Sequence, residues 1–249
     1  MISIRALVER YFPGRIKKSR NKFVKSGTTN RSTSPVFIVS VQRTGTKSQG
    51  QFFRELGYDV ASWRESRDNN WTEYAIIQNY DPIFTSAEFR SNVVFEDAPW
   101  CLPGFFKYLF WEFPDSGFVF IERDPDKWFD SMKSHSGGKT IGRTHTHCIV
   151  YDRLNEFYKN RESLGLYFQS RPNGLSLGER HREHYKNVYK NYMRELRCFF
   201  DYFDPEYERI FWGHLEDPEI WHKLGRFFGH SVPKDYELHL HATPDSSRG

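Results

Sequence analysis

The sequence predicts an α/β protein, a three-layer α/β/α arrangement around a central, mostly parallel sheet. Three observations carry that reading. Short apolar runs alternate with helical patterns along the chain, as successive βαβ units require. The first run, Val36-Phe37-Ile38-Val39-Ser40-Val41, is almost wholly apolar, the mark of a strand covered on both faces. With 249 residues the chain suffices for one sizeable domain with a real core, or at most two small ones. Its 23 Phe, 14 Tyr and 7 Trp leave disorder only to the ends.

The elements follow in order. Residues 1–34 read as a basic, polar extension, 35–245 as the domain and 246–249 as a tail. Met1 to Lys25 is interrupted by Pro13 and Gly14 and lacks a compact apolar core, so it is not expected to be a signal peptide. It is either a solvated extension or an amphipathic arm touching a membrane or partner. Lys25 to Pro35 is Ser/Thr-rich and closed by proline, a linker. After the first strand, Ser48 to Leu56 puts Phe52, Phe53 and Leu56 on one helical face, with Gly57 suited to the C-cap. Further strands are expected at Asn92–Glu96 and Gly117–Ile121, separated by an aromatic-rich helix over Leu102–Phe113. Pro125 stands at the start of a helix over Asp126–Lys133. Ser136 to Thr146 is a Gly-rich loop and a candidate lid. Leu177 to Phe203 repeats Tyr185, Val188, Tyr192, Leu196 and Phe199 at helical spacing. Arg209–Trp212 and Asp217–Phe228 read as a last strand and helix, the helix ending at Gly229. No internal repeat is present.

Charge and cysteine usage narrow the function. Thirty-six basic residues against 32 acidic give a net charge of only +4. A duplex-DNA binder would show a stronger and clustered basic excess, so no nucleic-acid partner is expected, whereas a mild positive bias suits a small anionic ligand. Cys101, Cys148 and Cys198 are odd in number and far apart, which argues for reduced thiols and a cytoplasmic location. No stretch approaches the roughly 18 apolar residues of a spanning helix.

Between the first strand and its helix lies Gln42-Arg43-Thr44-Gly45-Thr46-Lys47-Ser48. In a parallel sheet this turn occupies the carboxyl edge, where ligands bind. It offers consecutive backbone N–H groups, one glycine for a tight bend, three hydroxyls, two cations and no acid, and it feeds into a helix N-terminus that favours phosphate. An ordinary polar βα loop is the alternative. The nucleoside triphosphate loop G-x-x-x-x-G-K-[ST] is not matched: with Lys47-Ser48 on its last two positions, Thr46 and Val41 stand where the glycines belong.

A second basic element closes the Gly117 strand. Arg123 leaves its carboxyl end, and Ser131 lies two turns into the following helix. A guanidinium there can bind a phosphate bidentately, with the serine hydroxyl as a further donor. The alternative for Arg123 is a surface ion pair with Asp124 or Asp126.

Together, R-T-G-T-K-S at Arg43–Ser48 and R-D-P-x-x-W-x-x-S at Arg123–Ser131 resemble the sulfotransferases that use 3′-phosphoadenosine 5′-phosphosulfate (PAPS). Tyr207 to Pro233 is similar to their C-terminal strand and helix. The resemblance implies the P-loop-type sulfotransferase fold. It further implies that Arg43, Thr44, Gly45, Thr46, Lys47 and Ser48 hold the 5′-phosphosulfate, and Arg123 with Ser131 the 3′-phosphate. The product would be the 3′,5′-bisphosphate (PAP). Lys47 departs from the small polar residue common at its position; it is either an added phosphate ligand or solvent-facing. The acceptor would be a hydroxyl (or amine) of a small molecule or carbohydrate.

Sulfuryl transfer is mainly a matter of positioning and charge stabilisation and requires no metal. Arg43 is placed to stabilise charge on the leaving bridging oxygen, electrostatically, since arginine gives up no proton. For the base that takes the acceptor proton, Asp97 is the first choice, at the same carboxyl edge; Glu96 and Glu65 are weaker candidates. Asp97 could instead be a helix N-cap before Pro99. His145-x-His147-Cys148 and His181-x-x-His184 lack a second matching cluster and are not read as a metal site. Trp63, Trp71, Trp100 and Trp111 could stack on an acceptor, although core packing explains most of them. Two rival functions remain: a P-loop kinase, because Val93–Asp97 resembles a Walker B strand, and a non-catalytic nucleotide-binding scaffold.

Overall fold

The computed structural model describes residues 34–135, 145–159 and 177–238. Its elements are β1 (Val36–Ile38), α1 (Thr46–Glu55), β2 (Val60–Ala61), α2 (Trp63–Asp68), α3 (Trp71–Ile76), α4 (Asp81–Phe84), α5 (Ala87–Ser91) and β3 (Val94–Phe95). Then come α6 (Phe105–Glu112), β4 (Gly117–Glu122), α7 (Pro125–Ser134), α8 (His145–Val150), α9 (Leu154–Lys159), α10 (Arg182–Phe203), β5 (Ile210–His214) and α11 (Ile220–Phe227). The strands form one five-stranded sheet in the order β2-β3-β1-β4-β5, and every neighbouring pair is parallel.

Alternation along the strands sorts the side chains into two cores, because successive strand residues point to opposite faces. Val36, Ile38, Val119 and Ile121 pack with Phe52 and Phe53 of α1 and with Trp221 and Leu224 of α11. On the other face, Phe37, Val39, Phe118 and Phe120 meet Phe106 of α6, Trp128 of α7 and Tyr192, Leu196 and Phe200 of α10. The three expected layers result. Each fully buried aromatic contributes about 1.5–3 kcal/mol from burial, and several add ring contacts, such as Trp128 stacked on Tyr189 at 4.5 Å.

The expected elements are present with small shifts of boundary. Pairing in β1 stops at Ile38, and Val39 to Val41 lead out towards the carboxyl edge. The long helix begins at Arg182, entered by a 3₁₀ turn over Glu179–His181. Between Val60 and Ser91, β2 and four short helices were not anticipated. With four to six residues each, these helices are too short to display a helical period. Their caps are nonetheless in the sequence. Ser62 and Glu65 form a capping box, and Ser86 Oγ accepts from Phe89 N at 3.1 Å. Trp71 and Trp100 are core residues, while Trp63 and Trp111 are partly exposed. The candidate lid falls mostly outside the described residues; only its end, His145–Thr146, is seen, opening α8. Also outside them are residues 1–33 and the tail.

Arg209, just before β5, ties the sheet to α6. Its Nη2 donates to the carbonyls of Phe110 (3.1 Å) and Phe113 (2.8 Å) and to Ser116 Oγ (3.0 Å), its Nε to Ser116 O (3.1 Å), and its guanidinium lies 3.8 Å from the Phe110 ring centre. Helix carbonyls left open at a C-terminus are thereby satisfied. Lysine keeps the charge but not the planar fork or the stacking. Arg209→Lys should therefore lower stability by about 1–3 kcal/mol, read as a fall in the urea midpoint; an unchanged midpoint would discount this tie.

Candidate active site

The loop after β1 is braced from beneath before it offers anything to a ligand. Ser40 Oγ accepts the Ile121 amide at 2.8 Å and donates to Gln49 Oε1 at 3.1 Å, spanning β4 and α1. Gln49 Nε2 donates to Thr44 O at 3.0 Å, and Thr44 Oγ1 to Val41 O at 2.6 Å. Thr44 thus spends its hydroxyl on holding the loop. Gly45 is the N-cap of α1, left-handed at φ 80°, and a Cβ there would lie 3.0 Å from Leu215 of the β5–α11 turn. Glycine answers both demands. Thr46 and Ser48 are buried and Lys47 is exposed.

The two basic elements meet, although 80 residues separate them. Arg43 Nε donates to Ser131 Oγ at 3.0 Å, and Arg123 Nη1 donates to Arg43 O at 3.3 Å. Burial and the like charge of Arg123 push the Arg43 pKa down. Two guanidinium groups held together at the carboxyl edge, beside the N-terminus of α1, are suited by elementary electrostatics to an anion. Ser131 accepts from Arg43 and keeps its own proton to donate. Neither neighbouring aspartate pairs with Arg123. Asp124 caps α7, accepting from the amides of Asp126 and Lys127, and Asp126 pairs with Arg182 and Lys186.

Several residues near Arg43 and Arg123 escaped the sequence reading. The Arg123 Nε lies 3.6 Å from Glu216 of the β5–α11 turn, too far to hydrogen-bond, and Glu216 also meets His214 Nδ1 at 2.9 Å. His135, at the end of α7, lies 3.4 Å from Arg43 Nη1. Tyr189 of α10 accepts the Arg123 amide at 2.9 Å. No local pattern marks these residues, since each arrives from a distant part of the chain.

Asp97 follows β3 at the same edge and does not cap a helix. Its Oδ1 accepts the Ala98 amide at 2.8 Å and Gln42 Nε2 at 3.3 Å. Burial raises its pKa, against those two hydrogen bonds and the charge of Lys47. Arg43 and Asp97 are both left-handed at φ 69°. That conformation is costly for residues with side chains, and it concentrates at functional sites. Both residues proposed for chemistry carry it.

Glu96 is buried beneath α1, and Gly50 makes room for it: a Cβ at Gly50 would lie 2.0 Å from Glu96 Oε2. Arg54 is 3.5 Å from Oε1. The Glu65 carboxylate is taken by its own helix cap. A cleft of about 280 Å³ has Val41, Cys101, Tyr151, Tyr189 and Tyr192 among its lining, and it shares Cys101 and Tyr151 with the surroundings of Asp97. The histidine pairs serve local structure: His145 Nε2 is 2.8 Å from Tyr158 OH, and His184 Nε2 is 2.7 Å from Tyr151 O. Among the described residues no group of three or more His, Cys, Asp or Glu is placed to hold a metal.

A family model described as a sulfotransferase domain matches residues 35–239. The chain belongs to the sulfotransferase family. Sulfuryl transfer is the activity this membership supports, and it sets aside the kinase alternative. A crystal structure of a sulfotransferase from Alicyclobacillus acidocaldarius is similar, at 14% identity and a TM-score of 0.46, over 86% of this chain and 88% of that one. No curated protein matches the chain.

The burial of Glu96 has a pH signature. Burial raises Glu96 to about 7, against Arg54 and with help from Asp97. The folded protein therefore holds this proton between the unfolded value near 4.5 and about 7, where the unfolded chain releases it. Stability is fully present below pH 4.5 and is lost as pH rises through 7, by about 3 kcal/mol from this group. Asp97 acts in the same direction. Glu96→Gln should flatten the decline in urea midpoint between pH 5 and 8; equal slopes in both proteins would contradict this account.

Proposed function

We propose that the protein transfers a sulfuryl group from PAPS to a hydroxyl (or amine) of a small-molecule or carbohydrate acceptor by in-line displacement. The observation that carries this reading is the convergence of Arg43, Arg123 and Ser131 at the N-terminus of α1. A donor with phosphates on two sides of one ribose calls for two neighbouring cationic cradles, whereas a nucleoside triphosphate calls for one. Residues Arg43 to Ser48 would hold the 5′-phosphosulfate. Arg123 and Ser131 would hold the 3′-phosphate, which would take over the Arg123 edge now facing Glu216. Exposed Lys47 supports a role in drawing the anionic donor in, by charge rather than by a fixed contact.

In the transfer, the bond from sulfur to the bridging oxygen breaks and a bond from sulfur to the acceptor oxygen forms. Arg43 stabilises the charge left on the bridging oxygen. Asp97 takes the acceptor proton, and burial, by raising its pKa, makes it a stronger base than an ordinary aspartate. The tyrosine-walled cleft that shares Cys101 and Tyr151 with the surroundings of Asp97 is where the acceptor would enter. PAP leaves.

Calorimetry should show binding of adenosine 3′,5′-bisphosphate in preference to ADP and AMP, undiminished by EDTA. Arg123→Ala should abolish that preference, and equal wild-type affinity for AMP and the bisphosphate would remove the second cradle. With ³⁵S-labelled PAPS and a panel of phenols, alcohols, amines and sugars, Arg43→Ala should lower turnover by about 10²–10³ while weakening bisphosphate binding far less. Tight bisphosphate binding with no labelled product on any acceptor would favour the scaffold reading.

A further inference from the structure

Gln42 opens the phosphate loop, yet its side chain points away from the two arginines and into the neighbourhood of Asp97. The amide sits between two groups. Its Nε2 donates to Asp97 Oδ1 at 3.3 Å, with Cys101 Sγ at 3.5 Å, and its Oε1 accepts the Tyr151 hydroxyl at 3.1 Å. The backbone of Gln42 is held as well, its carbonyl accepting Trp128 Nε1 of α7 at 3.0 Å. Tyr151 is itself fixed: its ring stacks on Tyr185 of α10 at 4.7 Å, and its carbonyl meets His184 Nε2.

This arrangement selects one orientation of the amide. The reverse orientation would turn Oε1 towards the Asp97 carboxylate, two acceptors face to face, whereas the Tyr151 hydroxyl can serve either end of the amide. The consequence for Asp97 is directional. Both of its hydrogen bonds, from Ala98 N and Gln42 Nε2, fall on Oδ1. Among the described residues, Oδ2 accepts none, so one carboxylate oxygen is anchored and the other is left for an incoming proton.

We propose that Gln42 is a positioning residue, an amide clamp that aims the Asp97 carboxylate and makes its protonation depend on Tyr151. The inference rests on the reading of Asp97 as the base. Three elements of the domain are joined through it: the loop after β1, the turn after β3, and the turn after α8. Because Gln42 adjoins Arg43 in the chain, the clamp also ties the position of the base to the loop that would hold the sulfate donor. The groups facing Asp97 are Gln42 and Lys47 from the phosphate loop and α1, Glu96 just after β3, Cys101 from the following turn, and Tyr151. Of these, Gln42 is the donor that favours the charged form through its side chain, so losing it raises the proton affinity of Asp97.

The test is direct titration of Asp97 in the full chain, which needs no acceptor. Aspartate labelled with ¹³C at the side-chain carboxyl gives one signal per residue, and the Asp97 signal is the one missing in Asp97→Asn. Gln42→Met, close in volume, should raise the Asp97 midpoint by about 1 pH unit. Tyr151→Phe should raise it by less, and in the Gln42→Met background should add nothing, because the tyrosine acts through the amide. An unchanged midpoint in Gln42→Met, or a Tyr151→Phe effect of equal size with and without Gln42, would overturn the proposal. If Gln42→Met fails to fold, Tyr151→Phe alone decides, a raised midpoint supporting the clamp and an unchanged one refuting it. Turnover of Asp97→Asn with labelled PAPS separates the two layers. Wild-type turnover there would remove Asp97 as the base and leave the clamp to be judged on the titration.

Discussion

The parallel pairing of β1 between β3 and β4 is the constraint on which the site depends. Val36 lies opposite both Val94 and Gly117, so all three strands run the same way and point their carboxyl ends to one edge. Whatever follows them emerges at one edge: Arg43 after β1, Asp97 after β3 and Arg123 after β4. A parallel sheet has no hairpins to spend at that edge, and each strand must hand over to a loop and a returning helix. The buried faces make this register costly to shift, because a slip of one residue would turn each Phe and Val row to the wrong core.

Within that frame the local energetics run against comfort, and in a consistent direction. Two guanidinium groups are brought together, two residues with side chains take left-handed backbone, and a buried carboxylate, Glu96, stands beside the half-buried Asp97 at the end of β3. The cores on either face of the sheet offset these costs. Such a concentration of unfavourable terms at one strand edge is the physical mark of a preorganised site. An anion would relieve the like charges, and a proton relieves buried Glu96.

Much of the layout was legible because its signals are local. An apolar run bounded by a polar loop and a helical face is a strand, turn and helix regardless of what surrounds it, and the missing glycines of the triphosphate motif can be read one position at a time. Arg123 and Ser131, eight positions apart, announce themselves as a strand end and the helix that follows. The helices between Trp63 and Ser91 were not legible, since one or two turns leave no period to detect. Gln42 was visible only as a member of the polar loop, and nothing in its neighbours says that its amide turns from the arginines to Asp97.

By itself, then, the sequence determined the layers, the polar loop after β1 and the two basic elements, because period, capping and loop chemistry act over a few residues. Only the tertiary structure decided that Arg43 touches Ser131, that Glu216 faces Arg123 and that Tyr151 reaches Asp97 through Gln42. Those contacts span 88, 93 and, by two steps, 109 and 55 residues. Their geometry is set by how strands pair and helices pack, which no short stretch of the chain encodes.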